Sequence, residues 1–384
     1  MLLSVLPLIV LHDACLLTVA AAPSVKSGPQ HHRPLAIVNV PPFHSEVLSG
    51  AMEAVRPMAD RTAVYMNRHV YTGRDGLRPL VASYPGLLMP LPYQQGERAK
   101  PVPHHKVVFF ISPEVSLGYT RWFINASRPD TVVLMVHNAD DPRVPKLLEL
   151  HPRARLVALS PHVAAALRQR GFQADWWLAA WDAQGAVPAG RLDSRRRSYG
   201  SLWSDLEVAA NSSMPSRRSK TGSRSALVTT SDVPWLKILG RPVKGEEGFL
   251  LPRAVRPYVK LYPDARYSRF FGHIRCSVAL LTLFADEAYY DTKFSSTVLA
   301  SLSTGTPILA DAPFLSAYSF LNASTTWALQ PGEGLVRGMQ RVAAEGWAQH
   351  AARRGALAAL RRELNARAGA YLGALMEETD SRAD

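Results

Sequence analysis

Apolar residues in this chain come in strand-length runs separated by polar turns. Leu35–Val40, Thr62–Met66, Lys106–Ile111, Thr131–Val136 and Ala154–Leu159 are each nearly continuous in β-branched and aliphatic side chains. Runs that do not alternate suit strands buried on both faces, as in a parallel sheet. Between them lie segments with apolar positions three and four apart. Ser45 is the expected N-cap of a helix running to Val55, and further helices are expected over Ser116–Asn125 and Val144–Leu150. Ser160-Pro161 opens another, His162–Arg170, which Gly171 closes, and Ala174–Leu178 is a last short strand. Tyr71–Pro103, rich in Gly and Pro, reads as loop with a short helix. Strand, helix and strand following one another at this spacing form a Rossmann-like half.

The pattern breaks over Ala183–Arg224, where few large apolar residues remain and RRRS, SRRSK and SRS make the segment basic and polar. It restarts with strands at Ala226–Thr230 and Trp235–Leu239, a helix at Pro252–Tyr258 and a strand at Val259–Tyr262. A helix over Ala265–Ile274 and a buried strand over Cys276–Phe284 follow. Tyr289–Ala310 then reads as loop, helix from Ser295 to Gly305, and strand Ile308–Ala310, which completes a βαβ unit. The remainder is expected as a helix at Pro313–Leu321, a strand at Thr326–Leu329, a helix at Leu335–Ala344 and a long Ala/Arg helix over Trp347–Met376. The resulting division is 1–22 leader or anchor, 23–34 stem, 35–182 first Rossmann-like domain, 183–224 linker, 225–345 second Rossmann-like domain and 346–384 terminal helix and tail. The fold class is α/β, with two such domains facing across a cleft.

Composition changes this picture at three points. With 384 residues, 47% hydrophobic and 20% charged, the chain has enough apolar content for two cores, which excludes wholesale disorder. The net charge of +13 has no Lys/Arg run interleaved with aromatics, so no nucleic-acid partner is expected. Leu2–Ala22 is apolar with small residues at Ala20–Ala22, as a cleaved signal peptide requires, although no Lys or Arg precedes it. An uncleaved anchor giving membrane association is the alternative, with His12-Asp13 costly near its middle. A secretory-pathway location makes the Asn-x-Ser sequons at Asn125, Asn211 and Asn322 candidate glycan sites on surface loops. Cys15 lies in the leader, and Cys276 is expected as a small core residue.

The loop and helix start at Lys293, Ser295, Ser296 and Thr297 stand where a parallel sheet places anionic ligands, beyond a strand's C-terminal end. A nucleoside diphosphate suits the position; the plain alternative is a solvated lysine beside a capped helix. The two-domain pattern resembles the GT-B glycosyltransferases. Leu156–Ser160 with His162–Gly171 is similar to the end of their N-terminal domain, and Lys293-Phe-Ser-Ser with Leu302-Ser-Thr-Gly305-Thr-Pro307 is similar to their donor-binding unit. A large group of retaining members carries two glutamates eight positions apart in this unit; the matching positions here are Thr292 and Ala300, with Asp286, Glu287 or Asp291 as possible substitutes.

The resemblance implies a nucleotide sugar as substrate, with no cofactor and no metal, an acceptor domain in the first half and a donor domain in the second. Lys293, Ser295, Ser296, Thr297, Thr304 and Gly305 are then the donor-binding candidates, although Gly305 is as simply a helix C-cap. For catalysis, His44 and Glu46 follow the first strand and His137 ends the fourth, with Asn138, Asp140 and Asp141 beside it. An imidazole near its ordinary pKa suits a general base on an acceptor hydroxyl, whereas loop and helix-start roles are the ordinary alternative. Trp176, Trp177 and Trp181 are expected to pack at the domain junction, and the pairs His31-His32 and His104-His105 to sit in loops. The expected activity is hexosyl transfer from a nucleotide sugar to a glycan, protein or lipid acceptor. Its rivals are a non-catalytic glycan- or nucleotide-binding protein and a secreted interaction protein acting through the basic linker.

Overall fold

The computed structural model describes residues 8–11, 33–73, 77–92, 100–183, 236–240, 256, 259–263, 265–282, 284 and 286–381. The first domain is a seven-stranded sheet in the order β4-β3-β2-β5-β6-β7-β8, every pairing parallel. Its strands are β2 (Leu35–Asn39), β3 (Thr62–Met66), β4 (Leu87–Pro90), β5 (Val107–Ile111), β6 (Thr131–Val136), β7 (Ala154–Ala158) and β8 (Ala174–Trp176). The apolar runs form its centre because β2, β3, β5 and β6 are buried at every position. Helices α1 (Ser45–Ala54), α4 (Leu117–Ser127), α5 (Val144–Leu148) and α6 (Pro161–Gln169) make the crossovers, with short helices α2 (Arg68–Tyr71) and α3 (Arg78–Ser83) before β4.

The second domain holds β9 (Leu236–Gly240), β10 (Val259–Pro263), β11 (Leu280–Leu281), β12 (Ile308–Ala310) and β13 (Trp327–Ala328). These pair in the order β10-β9-β1-β11-β12-β13, where β1 is Leu8–Leu11. The β1 strand runs antiparallel to both neighbours, while the other pairings are parallel. The segment read as a leader thus supplies a sheet strand. Helices α7 (Tyr267–Arg275), α8 (Ala288–Asp291), α9 (Ser296–Thr304), α10 (Ala312–Ala317) and α11 (Leu335–Ala344) surround this sheet. Consecutive strand residues face opposite sides. Leu280 and Ile308 therefore join the large core shared with the first domain, and Leu281 and Leu309 a smaller one with Trp327 and Met339.

The last helix, α12 (Trp347–Asp380), has 34 residues and so spans about 50 Å. It begins on the second domain, where the Arg353 guanidinium lies 3.6 Å over the Trp327 ring. At the junction Arg361 pairs with Asp182 at 2.7 Å, and Asn365 exchanges two hydrogen bonds with the Ala180 backbone. Its far end reaches the first domain, where Arg155 binds Glu378 at 2.6 Å. Gly369 lies against α1: a Cβ there would stand 2.5 Å from the Ala54 carbonyl oxygen.

Several elements depart from the sequence expectations. Among the described residues, the strand expected over Cys276–Phe284 pairs at Leu280 and Leu281 alone, and Cys276 is the buried C-cap of α7. Edge strand β4 arises in the stretch read as loop and short helix. Asn125 is exposed in the last turn of α4 rather than on a loop, whereas Asn322 is exposed in a turn that accepts from Ser324 N. Asn211, His31, His32, the strand expected at Ala226–Thr230 and the linker from 184 onward lie outside the described residues. Among the described residues no helix is long and apolar enough to cross a membrane.

Candidate active site at the domain interface

Strand order locates the first site. From β2 the chain moves outward to β3 and β4, then returns to place β5 on the other side of β2. The crevice beyond the C-terminal ends of β2 and β5 is therefore the topological switch point, where open α/β sheets bind ligands. His44 follows β2 and Ser112 follows β5, and both have left-handed backbone, at φ 60° and φ 53°. Side chains disfavour this region, and each such residue costs roughly 1–3 kcal/mol unless its surroundings hold it. The two strained residues flanking the crevice meet side chain to side chain.

His44 Nδ1 lies 2.5 Å from Ser112 Oγ, and Ser112 Oγ lies 2.9 Å from Nε2 of His137, which follows β6. The two imidazoles stack with centroids 4.2 Å apart and planes at 24°. Burial lowers the pKa of His44, partly offset by the Glu46 carboxylate. Burial lowers that of His137 further, and His44 adds to the effect. Both rings are thus neutral near pH 7. Among the described residues His44 Nε2 has no protein partner.

Other polar groups at this edge are also left open. Ser45 occupies the first turn of α1 rather than the cap, and its buried Oγ has no partner. Glu114, two residues beyond Ser112, is buried with Oε2 unpartnered. Burial, with the Asp141 carboxylate adding, pushes its pKa up to about 8 against the pull of its own backbone N–H and Arg143. It is therefore a neutral acid at pH 7. Glu46 instead accepts from the Tyr267 hydroxyl at 2.7 Å, tying α1 to α7 across the domain boundary. Asp141 is held by Arg143 at 2.5 Å and Asp140 faces Arg170 at 3.6 Å.

The second domain presents its loop 292–295 to this edge. Ala139 N donates to Thr292 O at 2.7 Å, Phe294 N donates to His137 O at 3.0 Å, and Asn138 and Lys293 form a bridge between them. From α6, His162 places Nδ1 3.0 Å from Ala317 O and Nε2 3.2 Å from Lys293 O. The loop thus docks on the backbone of a site histidine, His137.

Within the loop, Lys293 Nζ is 3.5 Å from Asp286 and 4.5 Å from the Tyr289 ring centroid. Ser295 caps α9 by accepting from Thr297 N, and Ser295 N donates to the Tyr318 hydroxyl. Ser296 is exposed and Thr297 buried in the first turn. Thr304 and Gly305 lie at the other end of α9, about 13 Å away along its axis, and serve as its C-terminal turn. The structure therefore groups Lys293, Ser295, Ser296 and Thr297 but leaves Thr304 and Gly305 outside.

Trp177 and Trp181 are buried and Trp176 stacks on Phe320, so all three pack the junction. His105 is a core residue bonded to Tyr65 and the Arg33 carbonyl rather than an exposed loop group. Sequence reasoning missed Ser112 and Glu114, because Ser-Pro-Glu reads as an ordinary helix start and a left-handed backbone leaves no mark in composition. Among the described residues no group of three or more His, Cys, Asp and Glu is arranged to hold a metal ion.

No family model matches the sequence, and no curated protein matches it. Among solved structures the chain is similar to Anabaena Alr3699/HepE in complex with UDP and glucose, at 12% identity and TM-score 0.55, over 88% of this chain and 99% of that one. The same protein in complex with UDP-glucose matches at 12% identity and TM-score 0.54, covering 90% and 99%. The glycosyltransferase SnogD from Streptomyces nogalater matches at 13% identity over 90% and 100%, with a TM-score of 0.39. We rest the likeness on HepE alone, and at this identity it speaks to architecture. With two Rossmann-like domains, the docked loop 292–295 and a terminal helix crossing back, the chain has a GT-B fold.

Proposed function

We propose that this protein transfers a hexosyl group from a nucleoside diphosphate sugar to an acceptor hydroxyl, with His44 as general base. The observation that carries the proposal is the Nε2 of a neutral His44, unpartnered among the described residues and held in strained backbone at the switch-point crevice. The His44 ring stacks against His137, whose carbonyl receives the loop that opens α9. HepE is described with UDP and with UDP-glucose, which makes a UDP-hexose the first donor to test. The acceptor oxygen attacks the anomeric carbon as His44 Nε2 takes its proton. The bond from that carbon to the diphosphate breaks, and the electron pair leaves with the nucleotide. Lys293 and the positive end of the α9 dipole meet the growing charge. Base-assisted direct displacement inverts the anomeric centre, in keeping with Thr292 and Ala300 standing where retaining relatives carry glutamates.

The test is a screen of UDP-, GDP- and ADP-linked hexoses for transfer or hydrolysis. Wild type is expected to release UDP, and His44→Ala to release it at least about a hundredfold more slowly. A wild type that neither binds nor turns over any of these donors contradicts the reading. One observation favours a non-catalytic binder as second reading: Lys293 already faces Asp286, and Ser295 Oγ is already spent on capping. Binding without turnover identifies that case. We further propose a secretory-pathway location through residues 1–22. Cleavage after Ala22 removes β1 from its sheet, so the intact mass of protein recovered from a secretory host tests the proposal.

A further inference from the structure

A hydroxyl shared between two imidazoles must serve them differently. Ser112 Oγ has one proton to give and faces a ring nitrogen on either side. With both rings neutral, two arrangements satisfy the chain. In the first, His44 Nδ1–H donates to Ser112 Oγ, and Ser112 Oγ–H donates to His137 Nε2. In the second both bonds reverse, and the His44 proton moves to Nε2. Only the first leaves a lone pair on Nε2.

The same arrangement needs no rearrangement when His44 takes a proton. The new proton enters Nε2, the Nδ1–H bond to Ser112 stays in place, and the positive charge rests on a ring that already donates. Passing the charge on to His137 is opposed by that ring's deeper burial, which lowers its basicity beyond that of His44. Rings 4.2 Å apart also disfavour two positive charges at once. The chain therefore orients and does not conduct. Ser112 is fully buried, so it touches no substrate and acts only through His44.

We propose that Ser112 and His137 are positioning residues, which hold His44 in the Nδ1–H tautomer so that Nε2 is free to accept a proton. This rests on the reading of His44 as the base. The backbone is consistent with the inference: glycine suits φ 53° better than serine does, and the residue that stands there carries the bridging hydroxyl. His137 is fixed from the opposite side, since its carbonyl accepts from Phe294 N of the docked loop.

The test uses the full chain with 15N-labelled histidine and reads the His44 tautomer from its two ring-nitrogen shifts at neutral pH, which requires no donor or acceptor. Wild type is expected to show the proton on Nδ1. Ser112→Gly relieves the left-handed backbone and folds at least as stably, and it is expected to shift His44 toward Nε2–H. His137→Leu is expected to do the same, whereas His137→Gln, whose amide oxygen accepts from Ser112, retains the wild-type tautomer. Once a donor is in hand, Ser112→Gly should lower kcat at least about tenfold while donor KM stays within about twofold. A wild-type His44 protonated on Nε2, or a Ser112→Gly protein with unchanged tautomer and kcat, overturns the proposal. If no donor is turned over, the transferase reading fails while the tautomer still decides the positioning role.

Discussion

The two halves of this molecule differ at the edges that meet in the crevice, in backbone strain and in how many buried polar groups they leave open. At the edge of the first sheet, Ser45 Oγ, Glu114 Oε2 and Ser160 Oγ are buried without partners among the described residues, and His44 and Ser112 are held in left-handed backbone. In the second domain the loop before α9 keeps ordinary backbone and leaves Thr292 Oγ1 as its one buried unpartnered group among the described residues. Ser295 caps its helix, and the Tyr318 hydroxyl accepts from Ser295 N and donates to Tyr289 O. Burying an unpaired polar group costs about 1–3 kcal/mol. A buried group without a protein partner calls for an explanation, of which an ordered water, a ligand or a reaction is each one. The contrast is in keeping with the proposal that the first domain supplies the chemistry and the second holds the donor.

The contrast can be broken first at turnover. His44→Ala is expected to lower kcat by about 10²- to 10⁴-fold, the range for a lost general base, with the fold intact by circular dichroism. A smaller but structural effect concerns how rigidly α1 is held. A Cβ on Gly50 would lie 2.0 Å from the Ala179 carbonyl oxygen, so Gly50→Ala should destabilise by about 1–3 kcal/mol in urea titration. The same change at exposed Gly355 in α12 meets nothing within 4 Å and should stabilise by roughly 0.5–1 kcal/mol.

Glu114 sharpens the comparison through pH. Its folded pKa of about 8 lies above the ordinary carboxyl value, so the folded state binds the extra proton between the two. Stability from this group is full below the unfolded pKa and is lost as pH rises toward about 8. Glu114→Gln should flatten that decline in a series of Tm measurements from pH 5 to 8. The smallest effect falls in the second domain. Ser295→Ala removes the α9 cap and should cost about 1 kcal/mol, with kcat changed little.

Much of the first domain was legible because its central strands are buried on both faces and leave uninterrupted apolar runs. Thr62–Met66 and Thr131–Val136 match the observed strands end to end. Strand β4 was not, since Leu87–Pro90 is a short edge strand ending in proline, which reads as loop. Cys276–Phe284 misled in the other direction: its apolar content reflects a buried helix end followed by only two paired residues. At the site, His44 and His137 were visible as polar residues ending apolar runs, and the α9 cap as Ser before a helix. Ser112 was not, because its role depends on β5 lying beside β2, a long-range pairing that local pattern does not carry.

The division of labour between the halves is tested most directly by titrating UDP into wild type, His44→Ala and Lys293→Ala by calorimetry. If the donor is held by the second domain, His44→Ala binds UDP with Kd within about twofold of wild type, and Lys293→Ala weakens it at least about fivefold, near 1 kcal/mol. Equal binding by Lys293→Ala together with a large loss in His44→Ala would contradict the account.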